Sequence, residues 1–189
     1  SDQVIVLSNK IVPYLISKYK IQKKITVIPC SVDFNFFKID ENIDKSSILK
    51  NQLKIKKHEF IFCYSGSLGG IYQLEEMLDF FLNINNIIKE TYFIFFTQNI
   101  NILKKELDKK KYINIKNNIK FLSLERKDLP KYISICDAMI YFIKPTFAKT
   151  ASCPTKLGES LSLGMPIITN NGIGDIHDFF KKIQPGLLF

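Results

Sequence analysis

Glu59-Phe-Ile-Phe-Cys-Tyr64, then Ser65-Gly-Ser-Leu-Gly-Gly70, then Gln73-Leu-Glu-Glu-Met-Leu-Asp-Phe-Phe-Leu-Asn-Ile-Asn-Asn-Ile-Ile-Lys89 is the stretch that decides the fold. The first piece is a continuous apolar run of strand length, which marks a strand covered on both faces. The second is a glycine-rich turn. In the third, Leu74, Met77, Leu78, Phe81, Ile84 and Ile88 recur at helical spacing and form one buried stripe. Tyr92 to Thr97 is apolar again and predicts the next strand.

The same alternation extends in both directions. Val4 to Leu7 and Lys24 to Ile28 predict strands around a helix over Asn9 to Lys20, bent at Pro13. A polar and aromatic connection over 30–42 follows, with Val32, Phe34, Phe36 and Phe37 tucked against the core, then a helix over Ile43 to Leu53. Downstream, helices are predicted over Ile100 to Lys111, Leu129 to Cys136 and Asp175 to Ile183. Strands are predicted over Ile119 to Leu122 and Ala138 to Ile143. The closing Gly-Leu-Leu-Phe also reads as a strand. Strands separated by helices pair in parallel, because parallel neighbours need a crossover. Right-handed crossovers make the fold class α/β, a doubly wound, Rossmann-like parallel sheet. Ligands of such sheets sit beyond the carboxyl ends of the strands. Loops 65–72, 123–128 and 144–154 leave those ends.

Residues 152 to 175 carry the chemistry. Thr155 to Leu163 predicts a short helix stopped by Gly164, feeding a buried strand from Pro166 to Thr169. Ser152 is placed to cap that helix, and Pro154 suits its first turn. A helix start offers unpaired N–H groups and a positive dipole end. Lys156 adds a charge one turn in, and Glu159 on a similar face is suited to accept hydrogen bonds from vicinal hydroxyls. An anion cradle beside a diol acceptor fits a sugar nucleotide. The bland alternative is a capped helix with a Lys156–Glu159 surface pair, contributing roughly 0.2–0.5 kcal/mol. Gly66, Gly69 and Gly70 let backbone approach a ligand, and Ser67 adds a hydroxyl; a plain tight turn is the alternative. The spacing is not that of a dinucleotide fingerprint. Loop 144–154 offers backbone amides and the hydroxyls of Thr150 and Ser152 to a sugar, or else is a surface loop.

The 189 residues fit one domain with a sizeable core. The formal net charge is +9, but Arg126 is the only arginine. Readers of phosphates and bases draw on the planar guanidinium fork, so nucleic acid is not an expected partner. A loose contact with an acidic membrane surface fits the lysine excess better, at about 1 kcal/mol per nearby lysine. The run Lys104 to Lys111 reads as a solvated helix face. No stretch approaches the roughly 20 apolar residues of a spanning helix. Cys30, Cys63, Cys136 and Cys153 are scattered, which favours a reducing compartment and argues against structural zinc. Cys63 and Cys136 read as small core residues, and His58 and His177 as bystanders. Paired catalytic carboxylates, a nucleophile triad and a metal cluster are not expected.

Three stretches, in order, resemble the carboxyl-terminal domain of family 4 glycosyltransferases of the two-Rossmann-domain (GT-B) type. Ile28-Pro29-Cys30-Ser31-Val32-Asp33 is similar to the family's Ile-Pro-Asn-Gly-Val-Asp turn. Tyr64-Ser65-Gly66-Ser67-Leu68-Gly69 resembles its Gly-Arg-Leu donor loop. Pro154-Thr155-Lys156-Leu157-Gly158-Glu159, with Leu163-Gly164-Met165-Pro166-Ile167-Ile168, resembles its Glu-Ala-Met-Ala-x-Gly-x-Pro-Val-Val signature.

By that resemblance Glu159 matches the glutamate that holds the donor ribose, and Gly66 the glycine whose amide approaches the diphosphate. Ser123, Leu124 and Arg126 match the region lining the nucleobase. The set Gly66, Ser67, Leu68, Gly69, Ser123, Leu124, Arg126, Thr150, Ser152, Thr155, Lys156 and Glu159 is the expected donor site. Ala151 stands where a first glutamate is usual and Ser67 replaces an arginine. Tyr72 and Gln73 stand near the place of a lysine, so Lys156 is the expected cation.

The resemblance implies that residues 1–189 form one donor-binding half, with 1–22 as a lead-in segment and an amino-terminal acceptor half outside the chain. It implies retaining transfer from a UDP- or GDP-sugar to a polysaccharide or lipid-linked acceptor. No metal is expected, since lysine and helix amides can neutralise the leaving group. The expected place is the cytoplasm, at the inner face of the membrane. A sugar-nucleotide epimerase and a noncatalytic nucleotide-binding module of the same architecture are the alternatives. This half alone is expected to turn over almost nothing.

Overall fold

A computed structural model describes residues 3–38, 43–55 and 59–189. The expectation for His58, and that for the end of the 30–42 connection, fall outside them. Strands β1 (Val4–Val6), β2 (Ile25–Val27), β3 (Phe60–Ser65), β4 (Thr91–Phe96), β5 (Ile119–Leu122), β6 (Ala138–Tyr141), β7 (Ile167–Thr169) and β8 (Gly186–Leu188) alternate with helices. These are α1 (Val12–Tyr19), α2 (Ile43–Gln52), α3 (Leu74–Ile87), α4 (Ile100–Leu107), α5 (Leu129–Ile133), α6 (Thr155–Ser162) and α7 (Ile176–Ile183).

Six strands form one parallel sheet in the order β5-β4-β3-β6-β7-β8, the doubly wound arrangement that the alternation predicts. Sequence order reverses between β3 and β6, and a ligand crevice is expected beside such a reversal. β3 and β4 pair in register from Phe60↔Thr91 to Ser65↔Phe96. Ile61, Phe93, Ile94, Phe95 and Ile140 are fully buried in the middle of that sheet.

Four expectations need correction. β1 and β2 do not join the main sheet; they pair with each other in a separate two-stranded parallel sheet. Pro13 does not bend a helix, because it sits in the first turn of α1, where no donor is missed. The α3 stripe holds at Leu74, Met77, Leu78 and Phe81, but Ile88 lies past the helix end and is exposed. Asn85 is buried instead, its Nδ2 donating to Thr91 Oγ1 at 3.0 Å. In the aromatic connection Phe37 is buried, whereas Phe34 is exposed.

Helix α4 stops at Leu107, partway through the Lys-rich run Lys104 to Lys111. Lys109 and Lys111 fold back to pair with Glu75 at 3.3 and 2.7 Å, and Lys111 also reaches Asp79 at 2.9 Å. The lysine-rich stretch is thus partly neutralised within the fold. The cysteines are scattered in sequence but paired in space: Cys63 and Cys136 are neighbours in the core, and Cys30 and Cys153 share one small cavity.

Candidate functional site

β3 delivers the chain to Gly66 at a φ of +128°, a region that disfavours residues with a side chain. The loop is fastened from three sides. The Gly66 N–H donates to the Phe96 carbonyl at 3.0 Å, the Leu68 N–H to Asn99 Oδ1 at 2.9 Å, and the Tyr64 hydroxyl to the Ser67 carbonyl. Gly66 therefore has its own amide committed. Its missing side chain leaves the space that Lys156 Nζ occupies.

Behind this loop stands Lys156, only 8% exposed. A Cβ placed on Gly66 would lie 2.9 Å from Lys156 Nζ, so the glycine and the ammonium are in contact. Lys156 Nζ donates to the Tyr72 hydroxyl at 3.2 Å and lies 4.3 Å from the Tyr72 ring centre and 5.5 Å from that of Tyr64. The two rings meet edge to face. Burial pushes the Tyr64 phenol far above its ordinary value, so it stays neutral beside the cation. Two aromatic faces and one hydroxyl thus replace the water lost by the ammonium, at roughly 2 kcal/mol for a desolvated cation–π contact.

One turn along α6, Glu159 is also 8% exposed. Its Oε1 lies 3.5 Å from Arg126 Nη2. Burial raises the Glu159 carboxyl above its ordinary value, while the charges of Arg126 and Lys156 pull the other way. Arg126 is itself largely exposed and leans over the Phe36 ring.

Two recesses open here and meet at Arg126. The larger, about 480 Å³, lies between the Ser31-Val32-Asp33 turn with Phe36 on one side and Thr155 and Glu159 on the other. The smaller, about 350 Å³, lies between Gly66 and Ser67 and the loops bearing Thr97, Gln98 and Leu124. Both lie at the carboxyl ends of the central strands. Gly66, Ser67, Leu124, Arg126, Thr155 and Glu159 are therefore brought together, with Lys156 directly beneath Gly66. Ser123 acts at one remove, its Oγ donating to Gln98 Oε1 at 2.6 Å.

The other expected residues are not gathered. Leu68 turns into the core, and the Gly69 carbonyl accepts from the Tyr72 N–H at 3.2 Å. Residues Phe147–Ala151 coil into a 3₁₀ turn, where Thr150 Oγ1 donates to the Phe147 carbonyl at 2.6 Å. The turn packs on α1 through Tyr14 and Phe147, at 4.6 Å between ring centres. Ser152 closes that turn through its N–H to Lys149 O and does not cap α6; Pro154 holds the cap position without a side-chain bond. Sequence reasoning missed Tyr72, Asp33, Phe36, Thr97 and Gln98. An aromatic residue two positions after the last glycine of the loop was the available signal for Tyr72. Among the described residues, no three His, Cys, Asp or Glu side chains gather to hold a metal, and no helix is long and apolar enough to cross a membrane.

The sequence matches no family model and no curated protein. Solved structures match it over its whole length. HepE (Alr3699) from Anabaena, solved in complex with UDP-glucose, aligns with 100% of this chain and 50% of its own, at 16% identity and a TM-score of 0.73. WaaG, a glycosyltransferase involved in lipopolysaccharide biosynthesis, aligns with 99% of this chain and 49% of its own, at 14% identity and a TM-score of 0.77. A glycosyltransferase from Rickettsia africae gives 15% identity and a TM-score of 0.72 over 99% of this chain and 48% of its own. The chain has the fold of a GT-B half-domain. It spans about half the length of the structures it matches. The two recesses lie at the strand ends around the start of α6.

Proposed function

We propose that this half-domain is the carboxyl-terminal, donor-binding part of a retaining glycosyltransferase of family 4. It takes a UDP- or GDP-sugar and passes the hexose to a polysaccharide or lipid-linked acceptor held by an amino-terminal half. The observation that supports the reading is that Lys156 touches Gly66, which lines one recess, while Glu159, one turn along α6, lines the adjoining recess that shares Arg126. The nucleobase occupies the recess by Gln98 and Leu124, the Glu159 carboxylate accepts from the ribose hydroxyls, and the diphosphate lies over Gly66. As the sugar leaves, charge building on the diphosphate is met by Lys156 and the first amides of α6, a fixed electrostatic stabilisation that needs no metal. Arg126, at the junction of the recesses, swings from Glu159 toward the ligand. The setting is the cytoplasm at a membrane face, where the uncompensated lysines meet acidic lipid.

Titration calorimetry with UDP, GDP and UDP-glucose tests this. Lys156→Met and Glu159→Ala each remove a charged hydrogen-bond partner, about 1.5–3 kcal/mol, and weaken binding roughly tenfold to a hundredfold. Unchanged affinity in both variants rejects the reading. Because the Glu159 carboxyl titrates above its ordinary value, wild-type affinity weakens as pH falls through that raised value. Glu159→Gln removes this dependence.

A further inference from the structure

Cys30 and Cys153 lie far apart in the sequence yet line one cavity of about 180 Å³ together with Pro29, Ser152, Pro154 and Leu157. Both are partly exposed, unlike the buried Cys63 and Cys136. The two segments are packed tightly. A Cβ placed on Gly158 would lie 3.4 Å from Val32 Cβ, so the turn carrying Cys30 rests on the face of α6 that follows Cys153. Both cysteines lie outside the larger recess, but each leads into a segment that forms one of its walls. Cys30 precedes Ser31, Val32 and Asp33, and Cys153 precedes Thr155 and Glu159.

We propose that Cys30 and Cys153 form a reversible disulfide that staples the 29–33 turn to the start of α6 and fixes the width of the recess. The co-reactant is a small-molecule disulfide such as oxidised glutathione. One thiolate attacks it, forming a mixed disulfide and releasing one thiolate of glutathione. The second cysteine, as thiolate, then attacks the protein-bound sulfur and expels the other. Two protein thiols and one disulfide become one protein disulfide and two reduced glutathiones. Burial holds the Cys153 thiol above its ordinary value, and Cys30 lies close enough to interact with it. Fewer thiolates mean slow exchange, so the staple closes under sustained oxidation and not in a brief pulse. A single pair in a reducing compartment is a switch and not a permanent brace. The inference is independent of which ligand the crevice takes.

The test is incubation of the chain with oxidised glutathione, followed by alkylation, intact mass and peptide mapping. The expected result is loss of two hydrogens, one Cys30–Cys153 linked peptide, and a melting midpoint several degrees above the reduced protein. Reductant reverses all three. Cys30→Ser and Cys153→Ser each abolish the link and the shift. Should a variant fold poorly, the wild-type peptide map decides alone. Stable glutathione adducts on both cysteines, or a bond between Cys63 and Cys136 in place of the expected one, overturns the proposal.

Discussion

Strand β3 buries five of its six residues, whereas none of the three residues of β1 is buried. Both strands belong to parallel ladders with the same backbone hydrogen bonds, so the ladder is not what separates them. β3 lies inside a sheet clad by helices, between β4 and β6. Among the described residues β1 has only β2 beside it, and Ile5, Leu7 and Ile28 around the pair remain exposed. The segment that follows β1 is fastened chiefly through the Asp175 carboxylate, beside the Lys10–Asp178 pair and the Tyr14–Phe147 contact. Asp175 accepts from Ser8 Oγ at 2.8 Å, from the Asn9 N–H and Nδ2 at 2.7 Å each, and from the Lys10 N–H at 3.0 Å. Apolar burial holds one region, and a charge-assisted polar anchor holds the other.

The contrast breaks first at Phe81, which is fully buried between α3 and the main sheet. Phe81→Ala costs about 3–5 kcal/mol and lowers the single melting transition of the whole unit; a loss confined to the small sheet contradicts the comparison. Asp175→Ala has a smaller and local effect, about 1.5 kcal/mol. Hydrogen exchange then accelerates over residues 4–12 while β3 and β4 stay protected.

Acid sharpens the same point. Burial pushes the Asp175 carboxyl up, but the Asn9, Ser8 and Lys10 donors outweigh it and hold the value below the ordinary one. A depressed folded value means that the anchor is fully present above the unfolded value of about 3.9 and is lost as pH falls through the folded one. Exchange over 4–12 should therefore speed up in that acid window and fail to do so in Asp175→Asn, which is already loosened at neutral pH.

Tyr72→Phe tests the aromatic slot, keeping the ring and removing the hydroxyl. It weakens UDP binding by about 0.5–1.5 kcal/mol, roughly two- to tenfold, without moving the melting midpoint. Lys111→Ala removes the exposed pairs to Glu75 and Asp79 and leaves the midpoint where it was.

The main sheet was legible because apolar runs of strand length and the stripe on α3 each repeat a period that burial enforces. β5 lies where the sequence places it, and α6 within one residue. The separate pairing of β1 and β2 was not legible, since a three-residue strand carries no mark of which sheet it joins. The failed cap at Ser152 has a similar cause: a 3₁₀ turn, whose short period leaves little imprint on sequence, claims that residue first. That Gly66, Lys156 and Glu159 lie near one another at the strand ends could be anticipated from their types and order. The Tyr72 contact and the Cys30–Cys153 proximity arise from tertiary packing that no local window contains.

The slot that encloses Lys156 has a thermodynamic consequence. Its ammonium surrendered most of its hydration shell, and most of its rotamers, when the chain folded. A polyanion arriving at the crevice finds little solvent left to strip from that cation and little motion left to freeze. Capture of a nucleotide should accordingly register mainly as heat released, with a small entropic penalty on the protein side.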